Sequence, residues 1–243
     1  MLSSTKLAQF KSVLKDYSPS NQAVELLKKL DFVVLLGPSA SGKNTIIRDM
    51  VKSGQYYYVI SDTTREKRIN NGVSEVDGVE YWFRNSDDFL NDLKAGRYLE
   101  AELIHNQQVS GINLSELKKA ESLNKTALAD LDIGGVKKVL ALNPKARIYL
   151  ILPPSFKVWL RRLIDRNNIV DSEIRRRLTT AIKILESVSD LENVRVVLNN
   201  NYKKASETIR LNIEQSEEIP QAAVNKTLAK LIEETKNYLG TVK

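Results

Sequence analysis

The sequence predicts an α/β fold, a mainly parallel sheet covered by helices on both faces. Three observations carry this expectation. Short apolar runs, Phe32–Leu36, Thr126–Asp132, Ala146–Leu152 and Val194–Leu198, alternate with stretches whose apolar residues return at helical spacing. These runs are apolar nearly throughout, as strands buried on both faces should be. The first run leads into a glycine loop, Gly37-Pro38-Ser39-Ala40-Ser41-Gly42-Lys43-Asn44-Thr45, and then into the helical pattern Ile46–Val51. A buried strand, a glycine loop and a helix in that order form a phosphate cradle.

The elements follow in order. Leu7, Phe10, Val13, Leu14 and Tyr17 share one helical face over residues 5–17, and Pro19 interrupts it. Ser20 is placed to cap a second short helix with Val24, Leu27 and Leu30 inward. Residues 1–30 thus read as a helical extension; packing on the domain is the simplest role, a dimer contact or a partner site the alternatives. After the loop helix, ended by Gly54, Tyr56–Ile60 reads as a strand, and Glu75–Phe83 as a turn and a short strand. Ser86 caps a helix closed by Gly96, Tyr98–Ile104 alternates like a strand, Gly111 marks a turn, and Leu114–Leu123 is helical. Helices are expected over Val136–Leu142, from Ser155 to Asp165, from Ser172 to Leu191, and from Tyr202 to Glu214. Beyond Pro220, a terminal helix carries Val224, Leu228, Leu231, Thr235 and Leu239.

Composition narrows the function classes. Hydrophobic residues make up 42% of 243, enough for a sizeable core. The net charge of +7 suits anionic ligands but does not choose between nucleotides and nucleic acid; nucleic acid, suggested by charge alone, ranks last. With no cysteine and only His105, neither a disulfide framework nor a thiolate or histidine metal site can be built. No apolar run approaches the ~18 residues of a membrane span. The first residues lack the apolar core of a signal peptide, so the cytoplasm is the expected location.

Gly37 and Gly42 let the loop turn its N–H groups inward, and the helix start adds partial positive charge, so a polyphosphate fits there with Lys43 reaching its outer phosphates. Asn44 stands where Ser or Thr usually binds Mg²⁺; its amide oxygen is a candidate ligand, with Thr45 beside it. Asp130 and Asp132 end a strand beside Gly134-Gly135, where carboxylates can hold Mg²⁺ through water or bind a base. Arg65 and Arg68 follow the hydroxyl-rich segment Ser61–Thr64 at a strand's carboxyl end, a place for a second phosphate. Arg161, Arg162, Arg166, Arg175, Arg176 and Arg177 bracket a break at Asn167, as in a lid that brings charge to a transferring group.

Together these pieces resemble the guanylate kinase family, in the same order along the chain, over roughly residues 31–213. Gly37 to Thr45 is similar to the family's phosphate loop, which implies a P-loop NTPase-type sheet and an ATP site at Gly37, Ser39, Ala40, Ser41, Gly42, Lys43, Asn44 and Thr45. Ser61, Thr63, Thr64, Arg65 and Arg68 match its Ser-x-Thr-Thr-Arg-x-x-Arg segment. The resemblance implies Arg65, Arg68 and Tyr81 at the GMP phosphate, and Ser61, Glu100 and Asp132 at the base. It further implies Asp130 near Mg²⁺, Arg162, Arg166 and Arg177 as lid arginines beside the catalytic Lys43, and Asn199 at the adenine. The implied organisation is a guanylate-kinase-like domain over residues 31–213, with a small mixed α/β acceptor-binding region over 62–125 and a helical lid over 155–180. A C-terminal helical extension over 214–243 follows.

The chain departs from the family pattern at several points. Extra residues lie within Ile69–Ser74, and Ser74 replaces a glycine. Ser110-Gly111-Ile112 stands for Tyr-Gly-Thr/Ser, one residue further from Glu100; Gly134 stands for a glutamine and Asn200 for an aspartate. The activity implied is ATP + GMP → ADP + GDP with Mg²⁺. The alternatives are a guanylate-kinase-like domain that has lost activity and binds a protein partner, favoured by the altered acceptor segment and terminal helices, and a kinase for another small phosphorylated acceptor. The intact Gly42-Lys43 and the lid arginines oppose the inactive form, which has no need of them.

Overall fold

The structure is a computed structural model that describes residues 2–70, 72–165, 171–191 and 193–241. The elements begin with helices α1 (Ser4–Lys15) and α2 (Asn21–Lys29), strand β1 (Phe32–Leu36) and helix α3 (Lys43–Val51). Then come β2 (Tyr56–Tyr58), β3 (Asp62–Thr63), β4 (Ile69–Asn70), β5 (Val73–Ser74), β6 (Trp82–Phe83), α4 (Ser86–Lys94), β7 (Tyr98–Ile104) and β8 (Gln108–Asn113). They are followed by α5 (Leu114–Ser122), β9 (Thr126–Asp130), α6 (Ile133–Leu142), β10 (Arg147–Leu152), α7 (Phe156–Asp165) and α8 (Asp171–Ser187). A 3-10 turn (Val188–Asp190), β11 (Val194–Leu198), α9 (Tyr202–Gln215) and α10 (Gln221–Thr241) complete the chain. This is the α/β class that the sequence predicts.

The chain divides into two compact units. One comprises Val33–Tyr56, Asp130–Ile133 and Arg147–Lys243. In it β1, β10 and β11 pair in parallel, with Val34 opposite Ile148 and Ile148 opposite Val194. Every side chain of β1 is buried, as are Ile148–Leu152 of β10, so the apolar runs read as strands because neither face meets water. β11 lies at the sheet edge, and the Gln221 side chain covers it: its Oε1 accepts from Val196 N (3.0 Å) and its Nε2 donates to Val196 O (3.4 Å). That contact satisfies edge groups that otherwise invite another strand.

The other unit comprises Met1–Phe32, Tyr57–Ala129 and Gly134–Ala146. Its four-stranded sheet runs β6-β3-β8-β7, with β3–β6 parallel and the remaining pairs antiparallel. Between Arg68 and Glu75, β4 and β5 pair antiparallel, Ile69 opposite Ser74 and Asn70 opposite Val73, with Gly72 in the left-handed region at φ 78°. Both N-terminal helices pack within this unit. Phe10 of α1 is fully buried, edge-on to Phe89 at 5.9 Å, and Phe89 stacks on Tyr98 at 4.3 Å. Burying Phe10 contributes about 1.5–3 kcal/mol. The Tyr17 hydroxyl also bonds the backbone of Tyr98, donating to its carbonyl and accepting from its N–H.

Two local expectations are corrected. Asn85, not Ser86, caps α4: its Oδ1 accepts from both Asp87 N and Asp88 N at 2.9 Å. Gly111 lies inside β8 rather than in a turn; the turn is at His105 and Asn106, both at positive φ. A Cβ at position 111 would stand 2.4 Å from Glu100 O, so the glycine there lets two strands approach.

Candidate active site

The glycine loop is shaped by its own unit. Gly42 (φ 100°) is in the left-handed region and opens α3; a Cβ there would meet Asn199 Nδ2 at 2.2 Å. Asn199 is 4% exposed, and its Nδ2 donates to Ser41 O at 2.8 Å. Its own N–H donates to Leu152 O at 2.7 Å, so the residue after β11 ties that strand's end to the loop. Ser39 is held twice: its carbonyl accepts from Trp159 Nε1 (2.8 Å) and its hydroxyl from Arg177 Nη1 (3.4 Å).

Lys43 Nζ donates to Gly37 O at 2.7 Å and to Pro38 O at 3.4 Å, and stands 3.7 Å from Asp130 Oδ1. The ammonium is thus folded over the loop's mouth with a carboxylate at hand. Among the described residues the Ser41 hydroxyl is buried without a hydrogen-bond partner. Asn44 and Thr45 are exposed in the first turn of α3, Asp130 is half-buried at the end of β9, and Asp132 is exposed. Arg162 Nη2 donates to Asn199 O at 3.3 Å. Arg166, and with it the predicted break at Asn167, lies outside the described residues.

Glu173 has no sequence signal beyond its helical spacing from Arg177, yet its carboxylate binds Arg176 Nε and Nη2 and Arg177 Nε, all at 2.7 Å. The bonds from Arg176, followed by those from Arg177, pull its pKa from 4.5 down to about 2. A carboxyl lowered on folding stabilises above its ordinary pKa, and that contribution is lost as pH falls through the folded value. Thermal melts of the native chain should therefore lose stability between about pH 4.5 and 2, while Glu173→Gln follows a flatter curve there. The difference should be about 1 kcal/mol or less, because the pair is partly exposed and screened. Equal slopes would show that this carboxylate is not held in solution.

The other unit holds Ser61, Arg65, Arg68, Tyr81 and Glu100. Arg65 is clamped by Glu75, Nη1 to Oε2 at 2.7 Å and Nη2 to Oε1 at 3.0 Å, and Nη1 also donates to Glu66 O. Its guanidinium lies 5.2 Å from the Tyr81 ring centre and 5.6 Å from that of Phe83. A guanidinium has five N–H groups, and three are spent here. Among the described residues the Nε–H and the second Nη2–H have no acceptor, and together they form a side-on fork of the shape that takes two oxygens of one anion. Glu75 also accepts from Arg68 N at 2.8 Å, which closes the loop between the arginines. Although burial opposes it, these arginine bonds hold its carboxyl below the usual range. Arg68 is exposed, and Ser61 and Tyr81 are half-buried.

Glu100 is 5% exposed, and its Oε1 accepts from Ile112 N at 3.2 Å. The Ser110-Gly111-Ile112 departure therefore has a structural consequence. Ile112 contributes its backbone N–H to Glu100 and a fully buried side chain to the core, while Ser110 Oγ donates to Thr63 Oγ1 at 2.8 Å. At Gly134 a Cβ would stand 2.2 Å from Glu102 Oε2, the end of a flexible and partly exposed side chain.

Three buried groups escaped the sequence reading because their partners are distant in the chain. Asp62 accepts from Tyr98 Oη (2.6 Å), Arg84 Nη1 (3.1 Å) and Asn113 Nδ2 (3.5 Å), and burial pushes its carboxyl up despite them. Glu116 accepts from Tyr57 Oη, Ile60 N and Trp82 Nε1. Trp159, fully buried in α7, reaches Ser39 across 120 residues.

Comparison with known proteins decides the family. The family model described as guanylate kinase matches residues 29–216. The chain belongs to the guanylate kinase family. It is 34% identical over 164 residues to the guanylate kinase of Rhodococcus jostii (strain RHA1), covering 67% of this chain and 77% of that protein. It is 33% identical over 188 residues to that of Nocardia farcinica (strain IFM 10152), covering 76% and 94%. Among solved structures, the crystal structure of guanylate kinase from Anaplasma phagocytophilum aligns with a TM-score of 0.58 at 21% identity. That alignment covers 82% of this chain and 93% of the other, and shows the guanylate kinase fold. The family match stops short of α1 and α10. Among the described residues, no helix is long and apolar enough to cross a membrane.

Proposed function

We propose that the chain transfers the γ-phosphoryl group of ATP to GMP, giving ADP and GDP. The observation that carries this reading is Lys43 folded over a glycine loop between a buried strand and a helix, in a chain of the guanylate kinase family. In the transfer the bond from the γ-phosphorus to the β–γ bridging oxygen breaks, and a bond to a GMP phosphate oxygen forms. No covalent enzyme intermediate is required, so catalysis is positioning and charge stabilisation.

On the donor side, Lys43 and the N–H groups of residues 37–45 take the ATP phosphates, and Asn199 serves the same side by holding Ser41. Arg162, Arg166 and Arg177 bring positive charge to the moving group. On the acceptor side, Arg65, through its remaining fork, Arg68 and Tyr81 take the GMP phosphate. Ser61, Glu100 and Asp132 read the base. The donor set suits Mg²⁺, which needs one or two carboxylates besides phosphate oxygens and water, and Asp130 with Asn44 would hold it. The chemistry such an ion would supply there is an offset of the phosphates' negative charge. The ligands are nucleotides; cytoplasmic location and a homodimer belong to the same reading.

A coupled assay of ATP turnover against GMP, AMP, CMP and UMP tests it. GMP should be the preferred acceptor, with activity lost on chelating divalent cations. Absence of turnover with every acceptor would favour the partner-binding alternative, and preference for another acceptor would overturn the assignment of GMP.

A further inference from the structure

We propose that the C-terminal helix α10 is a positioning element for the donor loop, setting Ser39 by two separate routes and thereby the affinity for ATP. The proposal rests on the reading of Gly37–Thr45 as the ATP phosphate loop. α10 lies outside the residues that the family model matches.

The first route is aromatic. The Tyr238 ring of α10 packs tilted against Phe156, 5.4 Å between centres. Phe156 meets Trp159 edge-on at 6.1 Å. Trp159 is fully buried, and its indole N–H donates to Ser39 O. A buried indole has one donor and little rotational freedom, so what packs against its ring decides where the N–H points.

The second route is polar. Arg175 of α8 donates from Nη2 to Leu239 O, 3.0 Å away in the last turn of α10. Carbonyls there have no partner within the helix, and the helix end favours a cation. Two residues further along α8, Arg177 donates to the Ser39 hydroxyl. Lys236 and Glu186, 2.6 Å apart, make a second tie between α10 and α8. At its other end α10 is fixed by Gln221 on β11, and Leu231 anchors its middle at 1% exposure. The carbonyl and the hydroxyl of one loop residue are thus held by α7 and α8, and α10 packs against both. A helix that merely covered apolar surface would leave that convergence without a reason.

The test uses the full chain. Tyr238→Ala cuts the aromatic route and Arg175→Met the polar one. Each should raise KM for ATP roughly three- to tenfold, as side chains remote from a ligand do when coupled to it, and leave KM for GMP within about twofold. Arg175→Lys keeps a donor and should recover most of the ATP affinity. If Tyr238→Ala does not fold, Tyr238→Leu keeps apolar volume and gives the same readout. An unchanged KM for ATP in folded variants, or equal rises in both KM values with a lower melting temperature, would overturn the proposal. Lys43→Ala separates it from the loop assignment. Full activity of that variant removes the loop reading and this proposal with it; an inactive Lys43→Ala beside unaffected α10 variants removes the α10 proposal alone.

Discussion

Replacing Lys43 with alanine should lower kcat for GMP phosphorylation by about 10²–10³-fold, the usual cost of losing one charged or hydrogen-bonding group aimed at a transition state. The structure gives the reason for a large effect. The ammonium is already at the mouth of the loop, bonded to Gly37 O and Pro38 O. These are neutral carbonyls, so phosphate oxygens would replace weaker partners with stronger, charge-assisted ones. Asp130 at 3.7 Å keeps the charge from being stranded before ATP arrives. The side chain also closes the loop on itself, so the variant needs a fold check. Circular dichroism should show native helix content, because α3 is held through buried Ile46, Ile47 and Met50 rather than through Lys43. A folded variant with unchanged kcat would end the phosphate-loop mechanism.

Glu100→Gln should reduce kcat/KM for GMP by several powers of ten while changing the poor activity with AMP little. A carboxylate accepts two hydrogen bonds from guanine, one from the ring N–H and one from the exocyclic amine. Adenine lacks the ring N–H and presents a lone pair there. A buried polar group left facing a lone pair costs about 1–3 kcal/mol, and more when charged. Sites of this kind reject the wrong analogue by as much as ~10⁴–10⁵. Glu100 is well placed for this because it is nearly buried and Ile112 N already fixes Oε1. A glutamine in the same place keeps the acceptor toward Ile112 but turns a donor toward guanine's donors, or the reverse. Glu102→Gln is the control: Glu102 is far more exposed, its side chain standing at 37%. Comparing kcat/KM of both variants with both nucleotides decides the matter. Equal losses for GMP and AMP, or a larger effect at Glu102, would remove Glu100 from the base site.

What could be read in advance, and what could not, divides by the distance over which each residue is constrained. Asn85 and Ser86 are adjacent residues that both suit a cap, and only the reach of Asn85 Oδ1 to two N–H groups chooses between them. A glycine in isolation signals chain reversal, yet the constraint on Gly111 is the backbone of Glu100, on the neighbouring strand. The arginines of the acceptor segment were visible as chemistry. That Glu75 clamps one edge of Arg65 and leaves the other was not, because orientation belongs to the partner rather than to the residue.

The α/β class is legible in the residues alone, as are the glycine loop Gly37–Thr45 and the arginine pair Arg65 and Arg68. Each of these is written in contiguous residues whose backbone preferences and periodicity act locally. Folding alone brings Asn199 to Ser41, Trp159 and Arg177 to Ser39, and Ile112 N to Glu100. These bonds join residues 12 to 158 positions apart. A buried donor takes whichever acceptor folding brings to it, and no local pattern records which one that will be.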